Sequence, residues 1–178
     1  QVRVGKSMNR GVGVGSPFIE EDIYLLAPAV SWGYNWGPTL TGTALTSFDE
    51  TGMDFCPMAW NKAYNKEAIT AYVQAHPECK YLLAYNEPNL TDQANMTPQE
   101  AAEGWGELVA FARGLGLKIV SPAMNYGTLA GYSDPVKWLD EFFAQPGVSI
   151  DDVCAISLHC YMGSAGAMKS FIDLFDKY

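Results

Sequence analysis

Short apolar runs alternate with helix-period segments along nearly the whole chain, and that alternation restricts the fold more than any other feature of the sequence. Strand-like runs are read at residues 9–15, 30–34, 53–60, 81–85, 118–123 and 153–159. Between them, Ser16-Pro17 has the form of an N-cap and first-turn proline for a helix running to about Ala27. A second helix is expected from Asn65 or Lys66, carrying Ile69, Tyr72 and Val73 and ending near Pro77. Thr97-Pro98-Gln99-Glu100 is a capping box with proline at the first helical position, opening an amphipathic helix to Gly114 or Gly116. Residues 135–144 and 165–178 read as two more helices, whereas the Gly/Thr/Ser-rich stretch up to Gly52 has little periodicity. Apolar runs without a polar face belong to a parallel sheet covered on both sides. The pattern predicts an α/β protein, either a doubly wound sheet or a (β/α)8 barrel. Gly11, Gly13 and Gly15 alternate without the spacing of a phosphate-binding loop, which removes the main support for a nucleotide fold.

The 178 residues, 48% hydrophobic and 17% charged, can bury a sizeable core, and one domain over residues 1–178 is the expectation. A formal charge of −9 opposes binding to nucleic acid or to an anionic membrane surface and leaves a neutral polymer as an easy ligand. No apolar stretch reaches transmembrane length and no signal peptide is read, so a soluble chain is expected, with Gln1 as a candidate mature start and secretion left open. Cys56, Cys79, Cys154 and Cys160 are compatible with two disulfides or with buried thiols. On one strand, Cys154 and Cys160 would stand about 20 Å apart, too far to bridge. Asn89-Leu90-Thr91 and Asn95-Met96-Thr97 are glycosylation sequons, of which Asn95 is the better acceptor because a glycan at Asn89 would crowd any cleft at Glu87.

The run Tyr81-Leu82-Leu83-Ala84-Tyr85 stops at Asn86-Glu87-Pro88, leaving a carboxyl and an amide where a buried strand leaves the core. Pro88 disfavours the helical region for Glu87, so an extended Glu87 is expected at the strand's rim. A carboxyl partly desolvated there can donate a proton near neutral pH, and Asn86 beside it suits a sugar hydroxyl. Polar and aromatic residues gather at the other strand ends too: Trp36, Trp60 with Asn61, Asn125, and His159 with Tyr161. In a barrel these ends share one face, where active sites lie. The rings suit stacking on the C–H faces of sugars, and His159 suits hydrogen bonding in a subsite. With two histidines and no CxxC pair, no metal cluster is expected, and no GxSxG elbow supports a serine triad.

Taken in order, Asn9-Arg10-Gly11-Val12-Gly13, Val30-Ser31-Trp32-Gly33-Tyr34-Asn35-Trp36-Gly37-Pro38, Pro57-Met58-Ala59-Trp60-Asn61, Asn86-Glu87-Pro88-Asn89, Asn95-Met96-Thr97-Pro98-Gln99-Glu100-Ala101-Ala102, Ser121-Pro122-Ala123 and His159-Cys160-Tyr161 resemble glycoside hydrolase family 128. The resemblance implies a TIM-barrel endo-β-1,3-glucanase of the retaining type, with Glu87 as acid/base and no cofactor. Asn86 beside Glu87 matches the family's position, and the strand-end placement adds Trp36, Trp60, Asn61, Asn125, His159 and Tyr161 as expected substrate contacts. The family usually has Asp after Asn-Glu-Pro, and Asn89 leaves that outer contact uncharged. The nucleophilic Glu of the family ends the seventh strand, so it is expected beyond residue 178, the chain supplying about six β/α units. The implied partner is a β-1,3-glucan oligo- or polysaccharide, and the implied setting is secreted or cell-wall associated, with a monomer expected unless another chain supplies the remaining strands. Two other readings share Asn86 and Glu87: a non-catalytic glucan-binding protein on a truncated barrel, and a β-1,4-acting hydrolase of the same clan.

Overall fold

The computed structural model describes residues 5–178, so the candidate mature start at Gln1 lies outside the described residues. The order is β1 (Ser7–Gly13), α1 (Glu20–Leu26), β2 (Val30–Tyr34), α2 (Gly42–Thr51), β3 (Asp54–Phe55), α3 (Lys66–Ala75), β4 (Tyr81–Leu83), α4 (Pro98–Gly114), β5 (Lys118–Val120), α5 (Pro135–Phe143), a 3-10 turn (Ile150–Asp152), β6 (Val153–Ala155) and α6 (Ala165–Asp173). β1 pairs with β2, β2 with β3, and β5 with β6, all parallel, so the α/β reading with parallel strands holds. Two three-stranded sheets result, β1-β2-β3 and β4-β5-β6. They belong to two compact units, one taking in the described residues up to Met58 together with Tyr64–Tyr81, the other Ala59–Ala63 and Leu82–Tyr178.

In the first unit, Ile23, Val30, Phe48, Phe55 and Ile69 form the buried core. Phe55 meets Phe48 and Tyr72 edge-on, with centroids 6.3 and 5.1 Å apart. Gly33 permits α2 to lie against β2, because a Cβ there would come within 2.7 Å of Phe48 Cζ and 2.9 Å of the Val12 carbonyl. Asn65 caps α3 as expected, its side chain accepting from the Ala68 N–H at 2.9 Å. Two expectations fail here. Ser16-Pro17 does not open the first helix, which starts at Glu20 and places Glu20, Glu21 and Asp22 in its positive first turn. The stretch before Gly52 contains α2, closed by Gly52 in the left-handed region at φ 62°. Its polarity is absorbed within the helix: the hydroxyls of Thr46, Ser47 and Thr51 donate to the carbonyls of Gly42, Ala44 and Ser47.

In the second unit, Leu82, Trp105, Leu108, Ile119, Trp138 and Phe142 are fully or nearly fully buried. The apolar positions of α4, Ala101, Trp105, Leu108, Val109 and Ala112, follow the helical period. The Thr97 capping box is formed as read, Thr97 and Glu100 exchanging side-chain-to-backbone bonds. Asp152 accepts from Trp105 Nε1 at 3.2 Å and from Arg113 Nη2 at 2.9 Å. That bond satisfies the indole donor at the centre of α4. Strands β4, β5 and β6 are shorter than the apolar runs because their regular pairing ends early and passes into isolated bridges.

Candidate active site

Beyond the regular ends of β4, β5 and β6 the second unit keeps its parallel register. The Ala84 N–H donates to the Val120 carbonyl at 3.2 Å, Ala123 to Tyr85 at 2.8 Å and Glu87 to Ala123 at 3.0 Å. Met124 donates to Ser157 at 3.0 Å and His159 to Met124 at 2.8 Å, with bridges at Asn86–Ala123 and Met124–Leu158. On the other side of β4, Ala59 donates to the Leu83 carbonyl at 2.8 Å and Asn86 to that of Trp60 at 2.9 Å. Four chain segments therefore end side by side, bringing residues 59–61, 85–87, 123–125 and 157–159 together, as the strand-end positions in the sequence suggest.

Glu87 is at the centre of this group and only 7% exposed. Its Oε1 lies 2.9 Å from His159 Nδ1 and 3.5 Å from Asn125 Nδ2. The amide end that Asn125 presents is settled by its other bond: Oδ1 accepts from the Tyr126 N–H at 2.8 Å, so Nδ2 must face Glu87. Two nitrogens thus converge on one carboxyl oxygen. A proton on this carboxyl is directed to Oε2, because Oε1 already accepts from Asn125 and, in the Nδ1–H tautomer, from His159.

The Glu87 backbone differs from expectation. Its φ is 44°, in the left-handed region and not extended. Proline disfavours the right-handed helical region for the residue before it but not this one, and the chain turns at once: the Leu90 N–H donates to the Glu87 carbonyl at 3.0 Å, with Pro88 at the second turn position it prefers.

Of the other sequence-derived candidates, Asn86 is 2% exposed and donates from Nδ2 to Gln93 Oε1 at 2.9 Å, while its buried Oδ1 has no partner. Trp60 aligns its carbonyl with Asn86, and Asn61 closes a local turn, Oδ1 accepting from the Ala63 N–H at 2.8 Å. Tyr161 is 75% exposed, its ring 6.3 Å from that of His159 and edge-on to it. Trp36 belongs to the first unit, where it has a φ of 59°, is 37% exposed and packs 4.7 Å from the Tyr34 ring. Sequence reasoning missed Gln93, which lies in an aperiodic turn, and misjudged Asn89. Far from an outer contact, Asn89 has no exposed surface and its side chain is spent on the loop of residues 125–133.

All four cysteines are free thiols. Burial pushes the Cys56 thiol up to about 12 and that of Cys79 up to about 11. Among the described residues, no group of three or more His, Cys, Asp or Glu side chains is arranged to hold a metal ion.

Comparison with known proteins gives the following. Residues 20–178 match the family described as "Glycosyl hydrolase catalytic core". An endo-β-1,3-glucanase of GH128 subgroup II from Pseudomonas viridiflava is 36% identical, with a TM-score of 0.76 over 96% of this chain and 66% of that one. Another of subgroup II, from Sorangium cellulosum, is 30% identical, with a TM-score of 0.75 over 93% of this chain and 70% of that one. A subgroup I endo-β-1,3-glucanase from Amycolatopsis mediterranei, solved in complex with laminaritriose, is 28% identical, with a TM-score of 0.62 over 92% of this chain and 64% of that one. The chain thus spans about two thirds of the length of these structures. A comparison with curated proteins finds no match.

Proposed function

The chain belongs to glycoside hydrolase family 128, and from that membership we propose that it hydrolyses β-1,3-glucan by a retaining double displacement, with Glu87 as the acid/base. The observation that carries this reading is the buried carboxyl of Glu87, with one oxygen held by His159 and Asn125 and the other left for a proton. In the first step Oε2–H protonates the glycosidic oxygen as its bond to the anomeric carbon breaks. In the second the same oxygen takes a proton from the water that releases the sugar. A retaining route also needs an attacking carboxylate about 5–5.5 Å from the first. Glu87's own partners are an imidazole and an amide, so its part is proton transfer.

Asn86 is assigned to the 2-hydroxyl of the sugar at the point of cleavage, in keeping with an Oδ1 acceptor that lacks a partner. Trp36, Trp60, Asn61, Asn125, His159 and Tyr161 are assigned to sugar contacts. The exposed ring of Tyr161 suits stacking, whereas His159 and Asn125 act chiefly through Glu87. On the same reading the β/α units are those of a (β/α)8 barrel within one catalytic domain, and the protein works where glucan polymers are met, secreted or at a cell wall.

The test is Glu87→Gln assayed on linear β-1,3-glucan. Turnover should fall about 10²- to 10⁴-fold, the usual worth of general acid–base catalysis, with glucan binding nearly intact. Loss of binding as severe as the loss of turnover would overturn the assignment. Inverted configuration of the first-formed product, read by NMR, would overturn the retaining route.

A further inference from the structure

We infer that Asn89 is a positioning residue for proton transfer at Glu87, acting through the loop of residues 125–133; the inference rests on the glucanase reading above. Asn89 has no exposed surface. Its Nδ2 donates to the carbonyls of Asn125 at 2.8 Å and Tyr132 at 3.2 Å, and its own carbonyl accepts from the N–H groups of Thr128 at 3.0 Å and Leu129 at 2.9 Å. One residue thereby holds the loop at both ends and in the middle. Thr128 Oγ1 adds an acceptor for the Thr91 N–H at 2.9 Å.

Two further observations mark this as a built contact. A Cβ on Gly127 would meet the Asn89 carbonyl at 2.4 Å and Nδ2 at 2.5 Å, so the loop approaches as closely as only glycine permits. The two carbonyls facing the side chain can only accept, which assigns Nδ2 to that end and strands Oδ1 in the interior without a partner. An orphaned buried acceptor is unfavourable, so the contacts made by Nδ2 have to offset that cost. The Asn125 carbonyl that Asn89 holds belongs to the residue whose Nδ2 faces Glu87 Oε1, and that amide's direction is set by the adjacent Tyr126 N–H. Moving the Asn125 backbone withdraws one of the two donors that steer the proton to Oε2. With this loop unchanged, an aspartate at position 89 would turn lone pairs toward both carbonyls.

The experiment compares the full-length wild type with Asn89→Ala, Asn89→Asp, Asn125→Ala and Asn89→Ala/Asn125→Ala on linear β-1,3-glucan, with the Asn125 side-chain amide followed by NMR. Each single substitution should lower kcat about tenfold with little change in KM, Asn89→Asp losing at least as much as Asn89→Ala. The double variant should lose no more than the worse single one, because both act through one bond. The Asn125 amide signal should shift in both Asn89 variants while each still melts cooperatively. Unchanged kcat, additive losses, an unmoved Asn125 signal, or full activity of Asn89→Asp would each overturn the inference. A wild type that leaves glucan uncut would instead sink the glucanase reading, and the amide signal would then decide the loop clamp alone.

Discussion

The His159–Glu87 bond gives the sharpest prediction about the site. At 2.9 Å, with the two side chains only 13% and 9% exposed, it is neither stretched nor screened by solvent. Removing the imidazole in His159→Ala leaves Oε1 with Asn125 alone, at 3.5 Å. A hydrogen bond to a charged group is worth about 1.5–3 kcal/mol, and each 1.36 kcal/mol is tenfold in rate, so kcat/KM on β-1,3-glucan should fall roughly 10- to 150-fold. Substitution with Asn tests the hydrogen bond alone. An Asn Nδ2 falls near the position of the histidine Nδ1 and donates there. His159→Asn should therefore recover most of the loss, staying within several-fold of the wild type. Melting temperatures measured alongside distinguish loss of the bond from loss of the fold. His159→Ala retaining more than half the wild-type kcat/KM, or His159→Asn as damaged as His159→Ala, would refute the reasoning.

Three further predictions concern the framework. Gly33→Ala should destabilise by about 1–3 kcal/mol, the usual cost of overpacking, because its methyl would sit 2.7 Å from Phe48 Cζ and 2.9 Å from the Val12 carbonyl. Gly106→Ala, in α4 with nothing within 4 Å of the added methyl, should stabilise by about 0.5–1 kcal/mol, and denaturant titration showing the opposite order would contradict the packing described. The buried Cys56 thiol, raised by burial to about 12, lies above the ordinary thiol value near 8.5. Its contribution to stability is then complete below about pH 8.5 and is lost as pH climbs toward the folded value. Melting temperature should decline above that pH and decline less in Cys56→Ala. Equal slopes for the two proteins between pH 9 and 11 would rule the thiol out.

Much of this was legible in the sequence where local chemistry decides the outcome. Thr97-Pro98-Gln99-Glu100 and Asn65 carry their caps with them, and both helices begin where those residues say. Val30–Tyr34 is an apolar run with no competing pattern, and β2 occupies those same residues. Helix α2 was illegible because its Thr and Ser hydroxyls look like turn formers until they are seen to bond within their own helix. At the site, the meeting of Asn86, Glu87, Asn125 and His159 was foreseeable, since parallel strands in register deliver their ends to one edge. The partners of those residues were not. Gln93 and Asn89 act through side-chain bonds across loops, which leave no period in the sequence and depend on register to within one residue.

The geometry at Glu87 also explains how an unfavourable conformation persists there. A non-glycine residue in the left-handed region costs about 1–2 kcal/mol, and nothing in the glutamate side chain compensates as an Asn or Asp would. The main chain around it has little freedom to relax. The Glu87 N–H is held by Ala123 and its carbonyl by Leu90, while the Asn86 and Pro88 carbonyls accept from Ala94 at 3.1 Å and Met96 at 2.7 Å. Relieving φ at Glu87 would break several of these bonds, each worth about 0.5–1.5 kcal/mol, so the strain is outweighed and the turn stays. The carboxyl is consequently fixed in direction before any ligand arrives, and His159 and Asn125 then fix which of its oxygens is free. Trp36 carries the same left-handed backbone at φ 59°, also at a strand end. Two of the three non-glycine residues with positive φ among the described residues are therefore ones that the sequence marks for sugar chemistry, the association expected where backbone strain serves to aim a side chain.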